Sequence, residues 1–330
     1  MLLLAKAVLA FMMGFLIAIV LGLILIPLLK KLNVKQTVSV FLSSKHKEKQ
    51  GTPTMGGLIF VIATIIAVIF LFATNSLVFT SNLAVVLFVF LAYALLGLAD
   101  DYIIIKRKTN RGLSELQKLF WQLLIAVVFC IIFLQGGREP TLEIFTLGIT
   151  IHMGWFYPIF IMFMLVASSN AVNITDGLDG LAGGLSAIAF LTFGMVSFAS
   201  LGIAGHNDVG IFCFILVGAL LAFQFYNSHP AKVFMGDTGS LALGGTLAAI
   251  AIVNSNEIAF IIVAGVFVIN TLACILQILS IRIRKKKLFL MTPLHHHFEK
   301  LGWHERDIVK LFWALGILLS ALVIVWGVWI

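Results

Sequence analysis

The sequence predicts an all-α integral membrane protein with about ten transmembrane helices. Of its 330 residues, 61% are hydrophobic and only 11% are charged, whereas a soluble domain carries about 25% charged residues. The mean hydropathy is +1.13. Long apolar runs recur along the chain, each close to the ~20 residues that a helix needs to cross a bilayer. A membrane β-barrel would instead show alternating segments of about ten residues.

The apolar runs give the elements in order. The first run has no small-residue cleavage site and is too long for the core of a signal peptide, so we interpret it as a membrane helix. The β-branched alternation near 140–153 predicts a small outer hairpin between the fourth and fifth runs. The candidate spans are residues 5–29, 56–74, 82–100, 118–135, 155–172, 181–199, 209–226, 239–253, 257–281 and 307–328.

Basic residues set the orientation of these spans, because cytoplasmic loops are enriched in lysine and arginine. All of the 22 lysines and arginines except Lys6 and Arg138 fall in the loops after spans 1, 3, 5, 7 and 9, or at their edges. We therefore expect these loops to be cytoplasmic and both termini to be extracytoplasmic. The net charge of +8 then lies almost wholly on one face, where it attracts anionic lipid headgroups or an anionic substrate. No soluble basic domain exists to bind nucleic acid.

Every motif-like polar stretch falls in one of the predicted cytoplasmic loops. Acids at membrane depth are costly and indicate function. Polar clusters in several loops on one face predict a single site, built from loops on a helical scaffold. The five loops are 30–55, 100–118, 173–181, 227–239 and 282–306, with the motifs "KQGTPTMGG", "ADDYIIIKRK", "NAVNITDGLDGLAGG", "NSHPAKVFMGDTGS" and "MTPLHHHFEK".

Two pairs of acids are the first candidates. Asp100 and Asp101 are neighbours at the end of span 3. Adjacent helical positions point about 100° apart, so we expect separate roles, one as ligand or base and one as organiser. A solvated helix end is the alternative, although acids there oppose the helix dipole. Asp176 and Asp179 are expected in or near the first turn of span 6, where capping is the alternative to a binding role.

The remaining polar residues complete the inventory. Asp237 lies between glycines in "MGDTGS", a setting that suits a hard divalent cation or, alternatively, a simple turn. His295, His296 and His297 point in different directions, which favours contacts with phosphate or sugar over a zinc site. Acids for magnesium, lysines, glycine turns and histidines together indicate phosphoryl transfer between a water-soluble and a lipid-borne substrate. No Walker A motif is present in the sequence.

These motifs resemble those of the polyprenyl-phosphate N-acetylhexosamine 1-phosphate transferases. The resemblance covers essentially the whole chain, and "PLHHHFE" with "GTPTMGG" is similar to the phospho-N-acetylmuramoyl-pentapeptide transferase branch. It implies one polytopic transferase domain, residues 1–330, in the bacterial inner membrane. The implied reaction moves phospho-MurNAc-pentapeptide from UDP-MurNAc-pentapeptide to undecaprenyl phosphate, giving lipid I and UMP. A magnesium requirement, a cytoplasmic-face active site and a homodimer are implied as well.

The resemblance also implies roles for the motif residues. Asp237 and Asp100 would be the metal residues, and the implied catalytic residues are Asp100, Asp101, Asp237, His295, His296 and His297. Asp176 to Asp179 would line a nucleoside pocket in which Phe234 stacks on uracil. The implied substrate-binding residues are Lys49, Thr54, Lys118, Asn173, Asp176, Gly177, Leu178, Asp179, Asn227 and Phe234.

Alternatives remain for both the mechanism and the function. A phosphate monoester has a second pKa of about 6, so the lipid phosphate is largely dianionic and direct in-line attack is favoured; a phospho-aspartate on Asp100 is the rival. A related enzyme would transfer GlcNAc 1-phosphate from UDP-GlcNAc to the same lipid. A transporter of lipid-linked sugars is the alternative of another class, although transport sites usually lie at mid-membrane rather than at one face.

Overall fold

The computed structural model describes residues 2–32, 51–107, 112–137, 139–144, 148–199 and 205–329. It confirms the predicted all-α membrane class. The described elements are α1 (Leu3–Lys31), α2 (Gly57–Ala73), α3 (Ser81–Arg107), α4 (Glu115–Gln135), β1 (Thr141–Ile144), β2 (Ile149–His152), α5 (Phe156–Thr175), α6 (Leu181–Ala199), α7 (His206–Asn227), α8 (Asp237–Val253), α9 (Glu257–Val263), α10 (Gly265–Arg284), α11 (Leu294–Lys300) and α12 (Glu305–Trp329).

The helices match the predicted spans closely. Eight of the described helices are long and apolar enough to cross a membrane, and α2 and α8 are shorter apolar helices. The predicted span 257–281 is divided, because the backbone at Ala264 (φ −83°, ψ 9°) leaves helical geometry between α9 and α10. The predicted hairpin is present as an antiparallel pair in which Thr141 faces His152. The outer position of the hairpin and the extracytoplasmic termini stay predictions.

Two helix boundaries differ from the sequence prediction at candidate site residues. Helix α3 runs on through an isoleucine-rich stretch to Arg107, so Asp100 and Asp101 lie inside the helix rather than at its end. Helix α5 continues to Thr175, whose hydroxyl donates to the Ala171 carbonyl at 2.8 Å, and Asp176 is the residue that ends it. Asp176 is therefore at the C-terminal end of α5, not in the first turn of α6.

Helix α8 lies at the centre of the fold and is buried from Thr238 to Val253. It packs mainly against α3 and α5. Small residues allow these close contacts, as is common between membrane helices. A Cβ at Gly97 would collide with the Asp237 backbone, and the Ser168 hydroxyl donates to the Gly244 carbonyl at 2.6 Å. This packing places the N-terminus of α8 against the segment of α3 from Gly97 to Asp101.

Candidate active site

The segment that leads into α8 is held by the chain just before α2. The Gly56 and Gly57 amides donate to the Phe234 and Met235 carbonyls, each at 2.8 Å, and the Phe234 amide donates to the Pro53 carbonyl at 2.8 Å. Thr54 is buried. It lies beside this junction, because a Cβ at Gly236 would be 2.9 Å from its Oγ1. The first and fourth predicted loops therefore meet at the start of α8.

Asp101 binds the N-terminus of α8. Its Oδ1 accepts from the Asp237 amide at 3.1 Å, and its Oδ2 accepts from the Thr238 amide at 3.0 Å and the Thr238 hydroxyl at 2.6 Å. Only 3% of Asp101 is exposed. The first-turn amides of a helix favour a negative charge. Asp101 thus has the contacts of an organiser, the role that the sequence assigned to one of the two neighbouring acids.

Asp100 and Asp237 share one lysine. The Lys118 ammonium forms an ion pair with Asp237 Oδ2 and lies 3.7 Å from Asp100 Oδ2. Asp100 Oδ1 accepts from the Leu113 amide at 2.8 Å, and Asp237 Oδ1 accepts from the Asn173 side-chain amide at 2.8 Å. We call Asp100, Lys118, Asn173 and Asp237 the carboxylate–lysine cluster. Its members come from α3, α4, α5 and α8.

The carboxylate–lysine cluster has the donor chemistry of a magnesium site. Magnesium is bound through one or two carboxylates together with substrate phosphate oxygens. The carboxylates of Asp100 and Asp237 already converge on one positive charge, that of Lys118. The Asp237 side chain is 21% exposed and that of Asp100 is 5% exposed. Asp237 is therefore the more accessible carboxylate, and the two residues have the chemistry that fits the predicted ion.

A buried polar layer supports this cluster from the membrane side. Gln122 on α4 donates to Ser169 at 3.3 Å and accepts from Asn170 at 3.0 Å on α5. Gln122 lies one turn from Lys118, and Asn170 lies one turn from Asn173, so these bonds fix two members of the cluster relative to each other. Sequence reasoning missed both residues. The signal was available, because a glutamine and an asparagine inside apolar runs are costly at membrane depth.

A second cluster surrounds Asp179. His229 Nδ1 lies 3.2 Å from Asp179 Oδ2 and 3.2 Å from Glu305 Oε2. The Asp179 amide donates to Glu305 Oε1 at 2.7 Å, and the Ala231 amide donates to Asp179 Oδ2 at 3.1 Å. One ligand atom from each of these three side chains lies within 4.8 Å of the others. We call Asp179, His229 and Glu305 the loop cluster; sequence reasoning named only Asp179.

Asn227 joins the two clusters through the backbone. Its side-chain oxygen accepts from the Gly180 amide at 3.0 Å, and its side-chain nitrogen donates to the Val233 carbonyl at 2.9 Å. Only 2% of the residue is exposed. The backbone on one side leads to Asp179 and on the other to Asp237. Both the oxygen and the nitrogen of the Asn227 side chain therefore bind backbone groups, at the junction of the 173–181 and 227–239 loops.

The three histidines have different surroundings, as predicted for adjacent residues. His295 is fully buried beside Gly177, where a Cβ would collide with its ring, and within the described residues neither ring nitrogen has a hydrogen-bond partner. Burial lowers the pKa of His295 to about 3, with a smaller effect from His296. His296 Nδ1 lies 2.6 Å from Glu299 Oε2, and His297 Nδ1 accepts from the Leu290 amide at 3.1 Å.

The remaining predicted residues lie in the segments that lead to the two clusters. Asp176, Gly177 and Leu178 form the segment between α5 and α6, with Leu178 buried and the other two half-buried. Phe234 is half-buried and precedes the N-terminus of α8. Lys49 lies outside the described residues. All five predicted loop regions thus contribute described residues to one connected assembly.

Comparisons with known proteins agree with these motifs. Residues 83–255, just over half of the chain, match the model of glycosyl transferase family 4, and residues 49–61 match phospho-N-acetylmuramoyl-pentapeptide-transferase signature 1. The chain is 45% identical over 319 residues to the phospho-N-acetylmuramoyl-pentapeptide-transferase of Bacillus subtilis (strain 168), covering 97% of both chains. It is 44% identical over 326 residues to that of Geobacillus sp. (strain WCH70), covering 98% of both.

Proposed function

Because the chain belongs to the phospho-N-acetylmuramoyl-pentapeptide-transferase family, we propose that the carboxylate–lysine cluster is its phosphotransfer centre. The enzyme transfers phospho-MurNAc-pentapeptide from UDP-MurNAc-pentapeptide to undecaprenyl phosphate, with lipid I and UMP as products. The observation that carries this proposal is the Lys118 ammonium between the carboxylates of Asp100 and Asp237. A site that must gather phosphates depends mostly on positioning and charge neutralisation.

Asp237 and Asp100 would hold the magnesium ion, and Lys118 would contact the phosphates beside it. When bound, the ion neutralises phosphate charge and the charge that develops on the departing UMP. Asn173 fixes the orientation of the Asp237 carboxylate through the 2.8 Å bond to Oδ1. Asp101 holds the N-terminus of α8, and with it the backbone of Asp237. His295 stays neutral at physiological pH because its pKa is about 3, so it acts as a hydrogen-bonding group rather than a cation.

The geometry favours direct attack of the lipid phosphate over a phospho-aspartate. Asp100 is the nearest candidate nucleophile, yet its side chain is only 5% exposed, and one of its oxygens accepts from the Leu113 amide. A nucleophile needs an accessible, activated atom. We expect Asp100→Asn to slow turnover and to leave binding of the UDP substrate intact. Isolation of a covalent phospho-sugar enzyme in the absence of lipid phosphate would overturn direct attack.

The segment from Asp176 to Asp179, together with Phe234, forms the proposed nucleoside pocket. Asn227 supports the pocket by joining its two loops, and Thr54 by packing beside the turn at Gly236. We include Lys49, His296 and His297 among the groups around the diphosphate and sugar, as the family motif implies. The nucleoside pocket and the phosphotransfer centre belong to one polytopic domain, residues 1–330.

A transfer assay tests the proposed function. The purified protein is supplied with magnesium, a short-chain polyprenyl phosphate and either UDP-MurNAc-pentapeptide or UDP-GlcNAc, and UMP release is measured. We expect release with the muramoyl substrate only; preference for UDP-GlcNAc would favour the alternative transferase. Lipid-linked sugar that crosses a vesicle membrane without UMP release would favour a transporter.

Asp237→Asn tests the metal role and should abolish magnesium-dependent turnover. Asp208→Asn is the matched control, because Asp208 lies in the first turn of α7 and accepts from the Val78 amide at 3.0 Å. The 22 residues of α7 separate it from the site by about 30 Å. Near-normal turnover of Asp237→Asn would remove Asp237 from the metal site.

The chain is a multi-pass membrane protein of a bacterial family. We further propose that it lies in the inner membrane with its site on the cytoplasmic face, and that it forms a homodimer. The basic loops support the orientation through the positive-inside rule. Cross-linking in native membranes tests the dimer. Labelling of a single cysteine placed at Lys232, which is exposed beside the site, tests the orientation in inside-out against right-side-out vesicles.

A further inference from the structure

Glu305, the first residue of α12, lies far along the chain from the proposed nucleoside pocket and nevertheless contacts it. Its Oε1 accepts from the Asp179 amide at 2.7 Å, and its Oε2 lies 3.2 Å from His229 Nδ1. Glu305 and Asp179 are 126 residues apart in sequence. The two oxygens of one carboxylate therefore contact two different loops, 173–181 and 227–239.

His229 completes a chain of contacts between two carboxylates. Its Nδ1 is 3.2 Å from Asp179 Oδ2 and from Glu305 Oε2, and both of these atoms are acceptors. A carboxylate oxygen only accepts, so the arrangement assigns a hydrogen to Nδ1. The Asp179 side chain is 3% exposed, whereas that of His229 is 34% exposed. The Ala231 amide adds a second donor to Asp179 Oδ2 at 3.1 Å.

We propose that Glu305 and His229 are positioning residues for the UDP substrate: they fix the backbone and the carboxylate of Asp179 and so set the affinity of the nucleoside pocket. The inference rests on the proposed function, because it takes Asp179 to be part of that pocket. Both residues act through Asp179 and do not contact the phosphates. A side chain whose hydrogen bonds orient a binding residue typically changes affinity without changing the chemical step.

The same three groups could instead be read as the ligands of a cation. The contact between His229 Nδ1 and Asp179 Oδ2 is a hydrogen bond at 3.2 Å, and Glu305 Oε2 forms an ion-pair contact with Nδ1 at the same distance. One carboxylate oxygen of Glu305 is also already engaged by the Asp179 amide. These contacts therefore favour the hydrogen-bonded reading.

The first experiment compares two acids of the same helical turn. Glu305→Gln removes the charge and places a donor against either the Asp179 amide or His229. Asp307→Asn removes a charge from the same first turn of α12, where within the described residues the Asp307 side chain forms an exposed ion pair with Lys310 at 3.9 Å. The assays measure the KM for UDP-MurNAc-pentapeptide, the KM for short-chain polyprenyl phosphate, kcat, and the Kd of UMP by calorimetry in detergent.

We expect Glu305→Gln to raise the KM for the UDP substrate and the Kd of UMP by about tenfold, the effect of losing one charge-assisted hydrogen bond. The KM for the lipid phosphate and kcat should stay within about twofold, and Asp307→Asn should match the wild type. His229→Ala should resemble Glu305→Gln. His229→Asn should restore most of the affinity, because the asparagine amide lies near the position of Nδ1.

The outcomes separate this inference from the proposed function. Asp179→Asn is measured in parallel: if it leaves the UMP Kd unchanged, the proposed nucleoside pocket is wrong. If Asp179→Asn weakens UMP binding but Glu305→Gln and His229→Ala do not, the positioning role is wrong. Equal losses for both substrates, with a lower Tm and no rescue by His229→Asn, would also overturn it in favour of a general structural role. Stabilisation of the wild type but not of Glu305→Gln by manganese alone would assign the cluster to a cation.

Discussion

Replacing each of the two neighbouring aspartates in turn should separate catalysis from scaffolding. Asp101 accepts three hydrogen bonds from the start of α8, whereas Asp100 accepts one backbone bond and faces Lys118. In Asp101→Asn one oxygen becomes an amide group, which cannot accept. The best orientation keeps the two bonds from Thr238 and leaves the Asp237 amide facing another donor.

The expected cost follows from these contacts. Loss of one hydrogen bond to a charged group costs about 1.5–3 kcal/mol, and loss of a negative charge at a helix N-terminus costs up to about 1 kcal/mol at an ordinary site. The total of about 3 kcal/mol should lower the Tm in detergent by about 5 °C or more. Turnover should also fall, because the displaced amide belongs to Asp237. Asp100→Asn should lower kcat and change the Tm by less than about 2 °C.

Thermal unfolding followed by fluorescence, together with initial rates of UMP release, measures both quantities on the same preparations. Asp208→Asn serves as the control for removal of a carboxylate away from the site. The reasoning fails if Asp101→Asn keeps the wild-type Tm while its kcat falls as far as that of Asp100→Asn. That result would mean that Asp101 acts on the reacting groups directly and that its bonds to α8 contribute little to stability.

Three further variants test other parts of the structure. Gln122→Leu should lower kcat about tenfold and leave the UMP Kd unchanged, since it removes the polar layer under Lys118; unchanged kcat would contradict this. Gly236→Ala should lower both Tm and kcat, because φ at Gly236 is +75° and a Cβ there would lie 2.7 Å from Asp101 Oδ2. The control is Gly205→Ala, at the far end of α7, where φ is +88°; it should lower the Tm alone. The pKa of His295 is about 3 in the folded protein and about 6.5 in the unfolded chain. Its contribution to the free energy of unfolding is therefore fully present above pH 6.5 and is lost as the pH falls. At pH 5 the loss should be about 2 kcal/mol, and His295→Gln should abolish this slope in Tm between pH 7.5 and 5; an unchanged slope would refute the buried neutral imidazole.

Hydropathy predicted most of the fold, because lipid requires each spanning segment to satisfy its own backbone and to present an apolar surface. The ten apolar helices and the hairpin at Thr141–Ile144 and Ile149–His152 follow from that constraint. The division at Ala264 did not, since alanine is a good helix former and Gly265, the next residue, is one glycine in an otherwise continuous apolar run. The sequence prediction also ended α5 early, at residue 172 rather than Thr175, because the polar residues that follow are typical of a loop.

The candidate site was predictable where polar residues form dense motifs, and less so where they stand alone. Asp100, Asp237 and Lys118 lie in polar stretches beside the ends of predicted spans, so the sequence could predict that they meet, although Asp100 lies inside α3. Glu305 begins a helix and His229 lies in a loop, and neither stands out in the sequence. The packing of α12 and α7 against α6 brings them to Asp179. Sequence identifies which residues are polar, while helix packing decides which of them meet.

The charges of the carboxylate–lysine cluster indicate why Lys118 alone would not make the site attractive to anionic substrates. Two carboxylates and one ammonium leave one negative charge in a half-buried site, and both the UDP diphosphate and the lipid phosphate are anions. At such a site, charges about 4 Å apart interact by about 4 kcal/mol, so the cluster by itself would repel anionic substrates. A divalent cation held by Asp100 and Asp237 would reverse the sign to one positive charge. Lys118 would then be available to offset the repulsion between the two phosphates, provided that its ion pair with Asp237 opens.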